Sequence, residues 1–366
     1  MRRARLALLF MSLEALLMSD VFHVDEKRCI DEAVEELFNY FRNVGFPHYN
    51  IENYDSMLEL EKLIKYNVTD LINGNDVKQT MHSLGFLWCF FPHWVDITYS
   101  NQNNSLIERW NDDNKLKSLL YKTYLWTLRH GNGVITENRV RQNAKVYCSK
   151  QSVSNFRPSA AKALYNRFGN EGVVWDMCAG WGGRLFGFLA SDCEIYYANE
   201  PSTKTFRGLT NLCLEYYDEP TYLSDTESLF LGSSKTVQLF NEGCEIMSPP
   251  NNSVDLCFTS PPYFDTEHYS NEKTQSFIKY PSKKEWLNGF ILTMIKNCYS
   301  SLKDKGYLIL NISNTKNHQW IEDEVTKICE DNGFILIDTY YLILSSIAGK
   351  GVKREPIFIF QKEALK

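Results

Sequence analysis

The segment 172–200 places the tightest limit on how this chain can fold. Gly172 to Asp176 has the apolar, β-branched pattern of a buried strand that ends in an acid. A glycine-rich turn follows, and an apolar helix then leads to a second strand that ends at Glu200. This succession of strand, glycine turn, helix and strand is typical of a doubly wound parallel sheet, so we predict an α/β fold.

The glycine-rich turn reads Cys178-Ala179-Gly180-Trp181-Gly182-Gly183. Glycines without a Cβ let the backbone approach a ligand closely. A carboxylate at the end of the next strand, here Glu200, is placed to accept hydrogen bonds from ribose hydroxyls. The pattern predicts a site for a nucleoside cofactor, and by itself it leaves a nicotinamide-dependent oxidoreductase open as an alternative.

A second unusual feature is Ser260-Pro261-Pro262-Tyr263, which directly follows an apolar strand over 253–258. Two prolines fix two φ angles and remove two backbone donors, which makes the loop stiff and leaves its carbonyls unpaired. The Ser260 hydroxyl and the Pro261 carbonyl can accept the two hydrogens of a ring amine, while Tyr263 stacks on the ring. The alternative is a rigid turn that only closes the strand.

The remaining pattern divides the chain into a mostly helical region, 1–150, and an alternating β/α region, 151–366. The last two strands are predicted to form an antiparallel edge on the sheet. Residues 264–281 are polar and aromatic without a helical period, which predicts an active-site loop. Its His268 is either a general base or incidental. Further predicted strands are 236–240, 307–312, 334–344 and 356–361. Further predicted helices are 160–168, 202–217, 284–302 and 320–332.

Charge is unevenly distributed along this acidic chain, whose 366 residues carry a formal net charge of -6. Nine basic residues and one acid, Glu137, fall between Lys115 and Arg157, which favours either contact with a phosphate backbone or a solvated surface. The nine are Lys115, Lys117, Lys122, Arg129, Arg139, Arg141, Lys145, Lys150 and Arg157.

The cysteines and the N-terminal segment provide predictions about the cellular compartment of the protein. The ten cysteines contain no Cys-x-x-Cys pair, which predicts reduced core thiols of a cytoplasmic protein and no metal site. The apolar run 6–18 follows three arginines but contains Glu14 and is too short to span a bilayer, so an amphipathic first helix is expected. Met18 is an alternative natural start, and no later segment resembles a membrane span.

The glycine turn and the Ser-Pro-Pro-Tyr loop together resemble the S-adenosylmethionine-dependent amino-methyltransferases of DNA. In that family a glycine-rich motif and an (Asp/Asn/Ser)-Pro-Pro-(Tyr/Phe/Trp) motif end neighbouring strands, and here they are 176–184 and 260–263. The resemblance covers about 155–362, including the Lys303–Tyr307 turn and Arg354-Glu355-Pro356-Ile357. It implies a Rossmann-like methyltransferase sheet, mostly parallel with an antiparallel edge strand, preceded by the helical region.

The resemblance also implies roles for residues. S-adenosyl-L-methionine is the expected cofactor, and duplex DNA with one base flipped out is the expected partner. The head residue Ser260 favours cytosine N4 over adenine N6, and the absence of a Pro-Cys pair disfavours carbon-5 methylation. Expected cofactor-binding residues are Asp176, Ala179, Gly180, Gly182, Gly183, Glu200 and Ser260, and expected catalytic residues are Ser260, Pro261, Pro262 and Tyr263.

Several alternatives stay open at this point. The same loop suits methylation of an RNA base or a protein amide, and a nucleic-acid-binding protein with a degenerate site would keep the fold without the chemistry. Region 1–150 is assigned either target recognition or oligomerisation. A cognate restriction or defence partner is a further expectation that the sequence alone does not test.

Overall fold

The computed structural model describes residues 30–100, 104–130, 134–147, 153–344 and 352–363, and the backbone of 21–23. The predicted first helix and the alternative start at Met18 lie outside these residues. The chain divides into two compact units. Residues 49–94, which the sequence analysis assigned to the N-terminal region, belong to the second unit together with 99–100 and the described residues from Ser154 onward.

The first unit is mostly helical, as predicted. Its interior contains buried Leu37, Phe41, Trp110, Leu120 and Tyr124. One helix begins with a capping box in which Ser105 and Glu108 satisfy each other's backbone amides. The helices are Ile30–Val44, Leu106–Asn111, Asp113–His130 and Glu137–Tyr147, and a strand pair joins Val21–His23 to Val134–Thr136.

The second unit contains a sheet to which eleven of the described strands contribute. In chain order they are β1 Ile72–Asn73, β2 Asp76–Val77, β3 Val173–Asp176, β4 Ile195–Asn199, β5 Thr221–Ser224, β6 Glu227–Leu231, β7 Thr236–Phe240, β8 Val254–Thr259, β9 Leu302–Asn311, β10 Phe334–Ile343 and β11 Arg354–Lys362. Their spatial order is β1-β2-β10-β11-β9-β8-β3-β4-β7-β6-β5. The predicted doubly wound sheet is confirmed.

The chain leaves β3 towards β4 and β7 on one side and returns to β8 and β9 on the other. These five strands are parallel to their neighbours in this order. The strand order therefore reverses between β3 and β8, and in doubly wound sheets ligands bind at that point, beyond the carboxyl ends of the strands.

The last two strands form the predicted antiparallel pair, and the two-residue strands β1 and β2 extend the sheet beyond it. β11 pairs antiparallel with β9 on one side and with β10 on the other. All four residues of Ile357–Phe360 are buried, as is typical of a strand that is covered on both faces. β10 exposes Ile335 and Ile337 instead.

The hairpin formed by β5 and β6 was not predicted. The four residues of β5 are exposed, so the strand has no apolar alternation that would reveal it. Its antiparallel pairing with β6 extends the sheet beyond β7.

Helices cover the sheet, and one of them forms much of the core. Buried Trp286, Phe290, Met294 and Ile295 pack in one cluster with strand residues such as Cys257. The predicted helix 284–302 is interrupted by a π-helical stretch, Trp286–Ile291. The α-helices of this unit are Ser56–Lys65, Leu84–Trp88, Pro158–Phe168, Gly183–Leu189, Thr203–Leu214, Ser276–Lys279, Lys283–Glu285, Leu292–Ser301 and Ile321–Asp331. Among the described residues, none of the helices combines the length and the apolar character needed to cross a bilayer.

Candidate active site

The glycine turn and the Ser-Pro-Pro-Tyr loop begin side by side. β3 and β8 are adjacent parallel strands in which Val174 faces Leu256 and Trp175 faces Cys257. Because parallel strands end at the same edge of a sheet, the turn after Asp176 and the loop after Thr259 leave from neighbouring positions at the point where the strand order reverses.

Asp176 holds the two loops together. Its buried carboxylate accepts hydrogen bonds from Arg184 Nε at 2.8 Å and the Tyr196 hydroxyl at 2.7 Å. It also accepts one from the Thr259 hydroxyl at 2.8 Å and a longer one from the Cys178 amide at 3.3 Å. Both carboxylate oxygens are therefore engaged by internal partners, which indicates a positioning role, and the cofactor contact expected from the sequence stays a prediction.

Thr259, which the sequence analysis missed, links the two loops directly. While its hydroxyl donates to Asp176, it accepts a hydrogen bond from the Cys178 amide at 3.1 Å. Thr259 is fully buried and immediately precedes Ser260. One hydroxyl group thus fixes where the Ser-Pro-Pro-Tyr loop starts relative to the glycine turn.

The three glycines of the turn have different surroundings. A Cβ on Gly183 would lie 1.9 Å from the Phe156 carbonyl oxygen, and one on Gly182 would lie 3.2 Å from the Phe91 ring. At Gly180, where φ is +56°, a Cβ would have only the Cys178 carbonyl oxygen within 4 Å, at 3.8 Å, so this position is the least crowded of the three. Gly182 and Gly183 therefore permit internal packing, and Gly180 is the glycine that leaves room for a ligand.

Asn155, which lies outside the glycine turn, forms hydrogen bonds to the turn at two positions. Its amide donates to the Trp181 carbonyl at 2.7 Å and its carbonyl oxygen accepts from the Gly183 amide at 3.1 Å. Asn155 is buried, so these bonds satisfy both polar groups of its side chain. No local pattern in the sequence marks this residue, because its partners lie on a different element.

These surroundings predict that two alanine substitutions both destabilise the protein but differ in their effect on ligand binding. Gly183→Ala is expected to lower the free energy of unfolding by about 1–3 kcal/mol or more, because the backbone at Phe156 must move. Gly180→Ala is expected to cost about 1–2 kcal/mol for its left-handed backbone while weakening ligand binding at the turn. Chemical denaturation and calorimetric titration with S-adenosylmethionine check the pair. If Gly183→Ala weakened S-adenosylmethionine binding and Gly180→Ala did not, Gly180 would not be the glycine that leaves room for the ligand.

Glu200 lies beside Gly180. Its carboxylate accepts hydrogen bonds from the Gly180 amide at 3.0 Å and the Ser202 amide at 2.9 Å. Burial raises the pKa of Glu200 to about 7. In the part of the chain that the structure describes, no cationic side chain pairs with it. A buried, unpaired carboxylate next to an open glycine fits the hydroxyls and positive charge of S-adenosylmethionine.

The Ser-Pro-Pro-Tyr loop presents a partly accessible hydroxyl and a held tyrosine. Ser260 and Tyr263 are half-buried, and Pro261 is buried. Burial raises the pKa of Tyr263 well above its ordinary value, so its hydroxyl stays protonated. Phe264 follows with a φ of +55°, an uncommon conformation for a large side chain and one that is found where function constrains the backbone.

The loop 264–281 reaches from this motif to the end of β4. It contains two short elements, Glu267–His268 and Ser276–Lys279. Glu272 accepts hydrogen bonds from the Thr203 amide at 3.1 Å and the Ser270 hydroxyl at 2.8 Å, which anchors the loop near Glu200. The His268 ring stacks on the Phe277 ring, with 4.5 Å between the ring centroids, and this contact does not favour His268 as a free base.

Much of the predicted basic stretch is engaged inside the first unit. Lys117 pairs with Glu35 at 2.7 Å, and Arg139 lies 4.0 Å above the Trp126 ring. Arg141 is buried and donates to the Pro47 carbonyl. Lys150 lies outside the described residues. Phosphate contact by the other members of this stretch stays a prediction.

A search of solved structures found chains that are similar to this one over part of their length. Trm1 from Pyrococcus horikoshii, solved with S-adenosyl-L-methionine, is 13% identical over 58% of this chain and 57% of that one, with a TM-score of 0.39. An S-adenosylmethionine-dependent O-methyltransferase from Thermotoga maritima is 11% identical over 64% and 83%, with a TM-score of 0.37. TrmN from Thermus thermophilus is 15% identical over 56% of this chain and 48% of TrmN, with a TM-score of 0.35. This chain thus spans about half the length of TrmN.

No curated protein sequence matches the chain. Residues 254–364, however, match the family model of the N6/N4-type DNA methylases. This segment begins with β8 and includes the Ser-Pro-Pro-Tyr loop, β9, β10 and β11. Over residues 254–364 the chain therefore resembles the amino-methyltransferases of DNA, which supports S-adenosylmethionine as its methyl donor.

Proposed function

We propose that this protein is a DNA methyltransferase that methylates the exocyclic amine of a flipped base, with cytosine N4 favoured over adenine N6. The observation that carries the proposal is the contact between its two motifs. Thr259, at the start of the Ser-Pro-Pro-Tyr loop, and the glycine turn share the carboxylate of Asp176. The match of residues 254–364 to the DNA methylases supports DNA as the substrate class.

Gly180 and Glu200 are the proposed contacts of the cofactor, with Ala179 and Ser260 beside them. When bound, S-adenosylmethionine supplies a methyl group carried on a positively charged sulfur. The space over Gly180 accommodates the ligand, and the Glu200 carboxylate accepts hydrogen bonds from ribose hydroxyls. Asp176, Gly182 and Gly183 act indirectly, because their contacts are internal.

The Ser-Pro-Pro-Tyr loop activates the amine by positioning it. The lone pair of a ring amine is delocalised into the ring, which makes the amine a poor nucleophile. The Ser260 hydroxyl and the Pro261 carbonyl accept its two hydrogens, favour a pyramidal nitrogen and direct the lone pair outward. Pro262 keeps the loop rigid, and Tyr263 stacks on the base, which must leave the duplex to reach it.

Serine at the head of the motif is the reason for favouring cytosine N4. The adenine-N6 branch of the family more commonly has aspartate there. We assign the first unit to target recognition or oligomerisation, because it contributes neither motif.

Transfer of isotope-labelled methyl groups to a panel of substrates tests the proposed function. The panel contains unmethylated duplex DNA, RNA and a peptide with accessible amides, and nucleoside mass spectrometry identifies the product. Labelled N4-methylcytosine is the expected result, and N6-methyladenine would change only the base. Label in RNA or peptide alone would contradict DNA as the substrate, and NADH binding without methyl transfer would favour an oxidoreductase.

Cofactor affinity is expected to depend on pH through Glu200. Because the pKa of Glu200 is raised to about 7, the carboxylate becomes protonated as pH falls through that value. If only the ionised form accepts the ribose hydroxyls, the Kd for S-adenosylmethionine rises by up to about tenfold per pH unit below 7. Titration calorimetry of the wild type and Glu200→Gln between pH 5.5 and 8 checks this, and the variant should show weak binding without the pH dependence.

The unliganded protein should show the opposite trend in stability. A carboxyl group whose pKa is higher in the folded than in the unfolded state stabilises the folded state. This stabilisation is complete at pH values below the pKa of the unfolded state, and it is lost as pH rises through about 7. Thermal unfolding of the same two proteins provides the second readout. A Glu200→Gln profile with the same slope as the wild type would contradict the assignment.

A further inference from the structure

A tight turn returns the chain to the amine-binding loop. The Thr266 amide donates to the Tyr263 carbonyl at 3.2 Å, with Phe264 in its left-handed conformation inside the turn. The Thr266 carbonyl in turn accepts a hydrogen bond from the Ser100 amide at 3.3 Å. These bonds fix the start of the short strand Glu267–His268 next to the loop.

The Glu267 carboxyl group interacts electrostatically with Tyr263 of the amine loop and is linked to the glycine turn through Tyr269. Its only hydrogen bond within the described residues comes from the Tyr269 hydroxyl to one oxygen, Oε2. The ring of Tyr269 also lies 6.1 Å from the Trp181 ring in the glycine turn. The other carboxylate oxygen of Glu267 is free to interact with a bound group.

Two buried hydroxyls near Glu267 lack a hydrogen-bond partner. Tyr99 is only 5% exposed, and its hydroxyl has no partner in the described part of the chain. The Thr266 hydroxyl is also buried and unsatisfied. Because buried polar groups are normally paired, these atoms indicate that a polar ligand completes the cluster.

The proposed reaction leaves one proton without a destination. The amine nitrogen forms a bond to the methyl carbon as the carbon–sulfur bond breaks, and the electron pair of that bond stays on sulfur. Positive charge develops on the amine nitrogen as this bond forms, and the nitrogen must lose one proton. The Ser260 hydroxyl and the Pro261 carbonyl accept hydrogen bonds, but neither is a base that holds a proton at neutral pH.

We propose that the carboxylate of Glu267 accepts the proton that leaves the methylated amine. The inference rests on the proposed function, and it replaces His268 with its neighbour as the base of this loop. The transfer requires ionised Glu267 and produces the neutral methylamine and a protonated carboxyl group. That proton passes to solvent before the next turnover.

The surroundings of Glu267 suit a base that works near neutral pH. Burial raises the pKa of Glu267, the hydrogen bond from Tyr269 lowers it, and the nearby Glu355 raises it. The groups that face it are Tyr269 on its own segment, Tyr99 on the adjacent strand, Tyr263 on the amine loop and Glu355 on β11. The rate should therefore fall on acidification at a pH above the ordinary pKa of glutamate.

The test compares wild type, Glu267→Gln and Glu267→Asp in single-turnover methyl transfer to duplex DNA at saturating cofactor. Loss of a general base typically reduces the rate by about 10²–10⁴-fold, and Glu267→Gln should also lose the acid limb of the pH profile. Glu267→Asp should retain the limb at a reduced rate. Calorimetry should give the same Kd for S-adenosylmethionine in all three proteins, and exposed Glu285→Gln is the control for removing a charge.

A Glu267→Gln variant that keeps both the rate and the acid limb would overturn the inference while leaving the proposed function intact. If the wild type transfers no methyl group to DNA, the proposed function fails and the inference fails with it. A weaker Kd for the cofactor in Glu267→Gln, with an unchanged rate at saturation, would assign Glu267 to cofactor binding and would also overturn the inference.

Discussion

Replacing Asp176 with asparagine is expected to lower the free energy of unfolding by about 3–5 kcal/mol, the typical effect of removing one partner of a buried ion pair. The side chain is fully buried and pairs with Arg184, which is itself only 5% exposed. Asparagine keeps the shape but leaves the guanidinium group without a counter-charge. Urea denaturation, followed by circular dichroism, measures the change.

Two further variants define the origin of that change. Asp331→Asn removes an ion pair with Lys327 whose side chains are 59% and 69% exposed, and it should leave the free energy of unfolding almost unchanged. Thr259→Val removes only the link between the two loops and should have an intermediate effect, because one buried hydrogen bond is lost. Equal stabilities for Asp176→Asn and Asp331→Asn would contradict the assignment of Asp176 as the connecting residue.

Replacing Ser260 with alanine is expected to reduce kcat by about 10²–10³-fold, comparable to the loss of one oriented hydrogen-bonding group in an enzyme site. In the proposed mechanism the hydroxyl accepts an amine hydrogen as the reaction proceeds. Stability should change little, because Ser260 is half-buried and its hydroxyl is not part of the Asp176 network. Steady-state methyl transfer to duplex DNA measures kcat and KM separately.

The control for this substitution is Ser253→Ala. Ser253 precedes β8, and its hydroxyl donates to the Pro250 carbonyl at 2.7 Å, before the strand begins. This variant should transfer methyl groups at the wild-type rate. If Ser260→Ala raised only KM and left kcat unchanged, the hydroxyl would contribute to binding alone, and the proposed activation of the amine would be wrong.

The sequence predicts the centre of the sheet well because its strands are apolar on both faces. β3, β4, β7 and β8 all lie within the predicted ranges or within one residue of them, and each is followed by a recognisable turn or helix. Two buried faces produce a continuous apolar run, which local pattern analysis detects. Spatial order is a different property, and for this reason the sequence did not show that β1 and β2 extend the sheet beyond the pair formed by β10 and β11.

The sequence predicts the position of the candidate site but not the role of each residue in it. Motif spacing brings the glycine turn and the Ser-Pro-Pro-Tyr loop to one edge of the sheet. It does not reveal that Asp176 accepts a hydrogen bond from a hydroxyl 83 residues away in the sequence. Nor does it reveal that a backbone carbonyl leaves no room for a side chain at Gly183. Asn155, Thr259 and Glu267 escaped prediction for the same reason, since their roles depend on partners from other elements.

The most direct test of the central claim is a single turnover with labelled S-adenosylmethionine preloaded on the protein, followed by nucleoside mass spectrometry of an unmethylated duplex. We predict labelled N4-methylcytosine with the wild type and about 10²–10³-fold slower labelling with Ser260→Ala when each protein is saturated with cofactor. Bound cofactor without any labelled nucleoside, or equal labelling by the two proteins, would contradict this prediction.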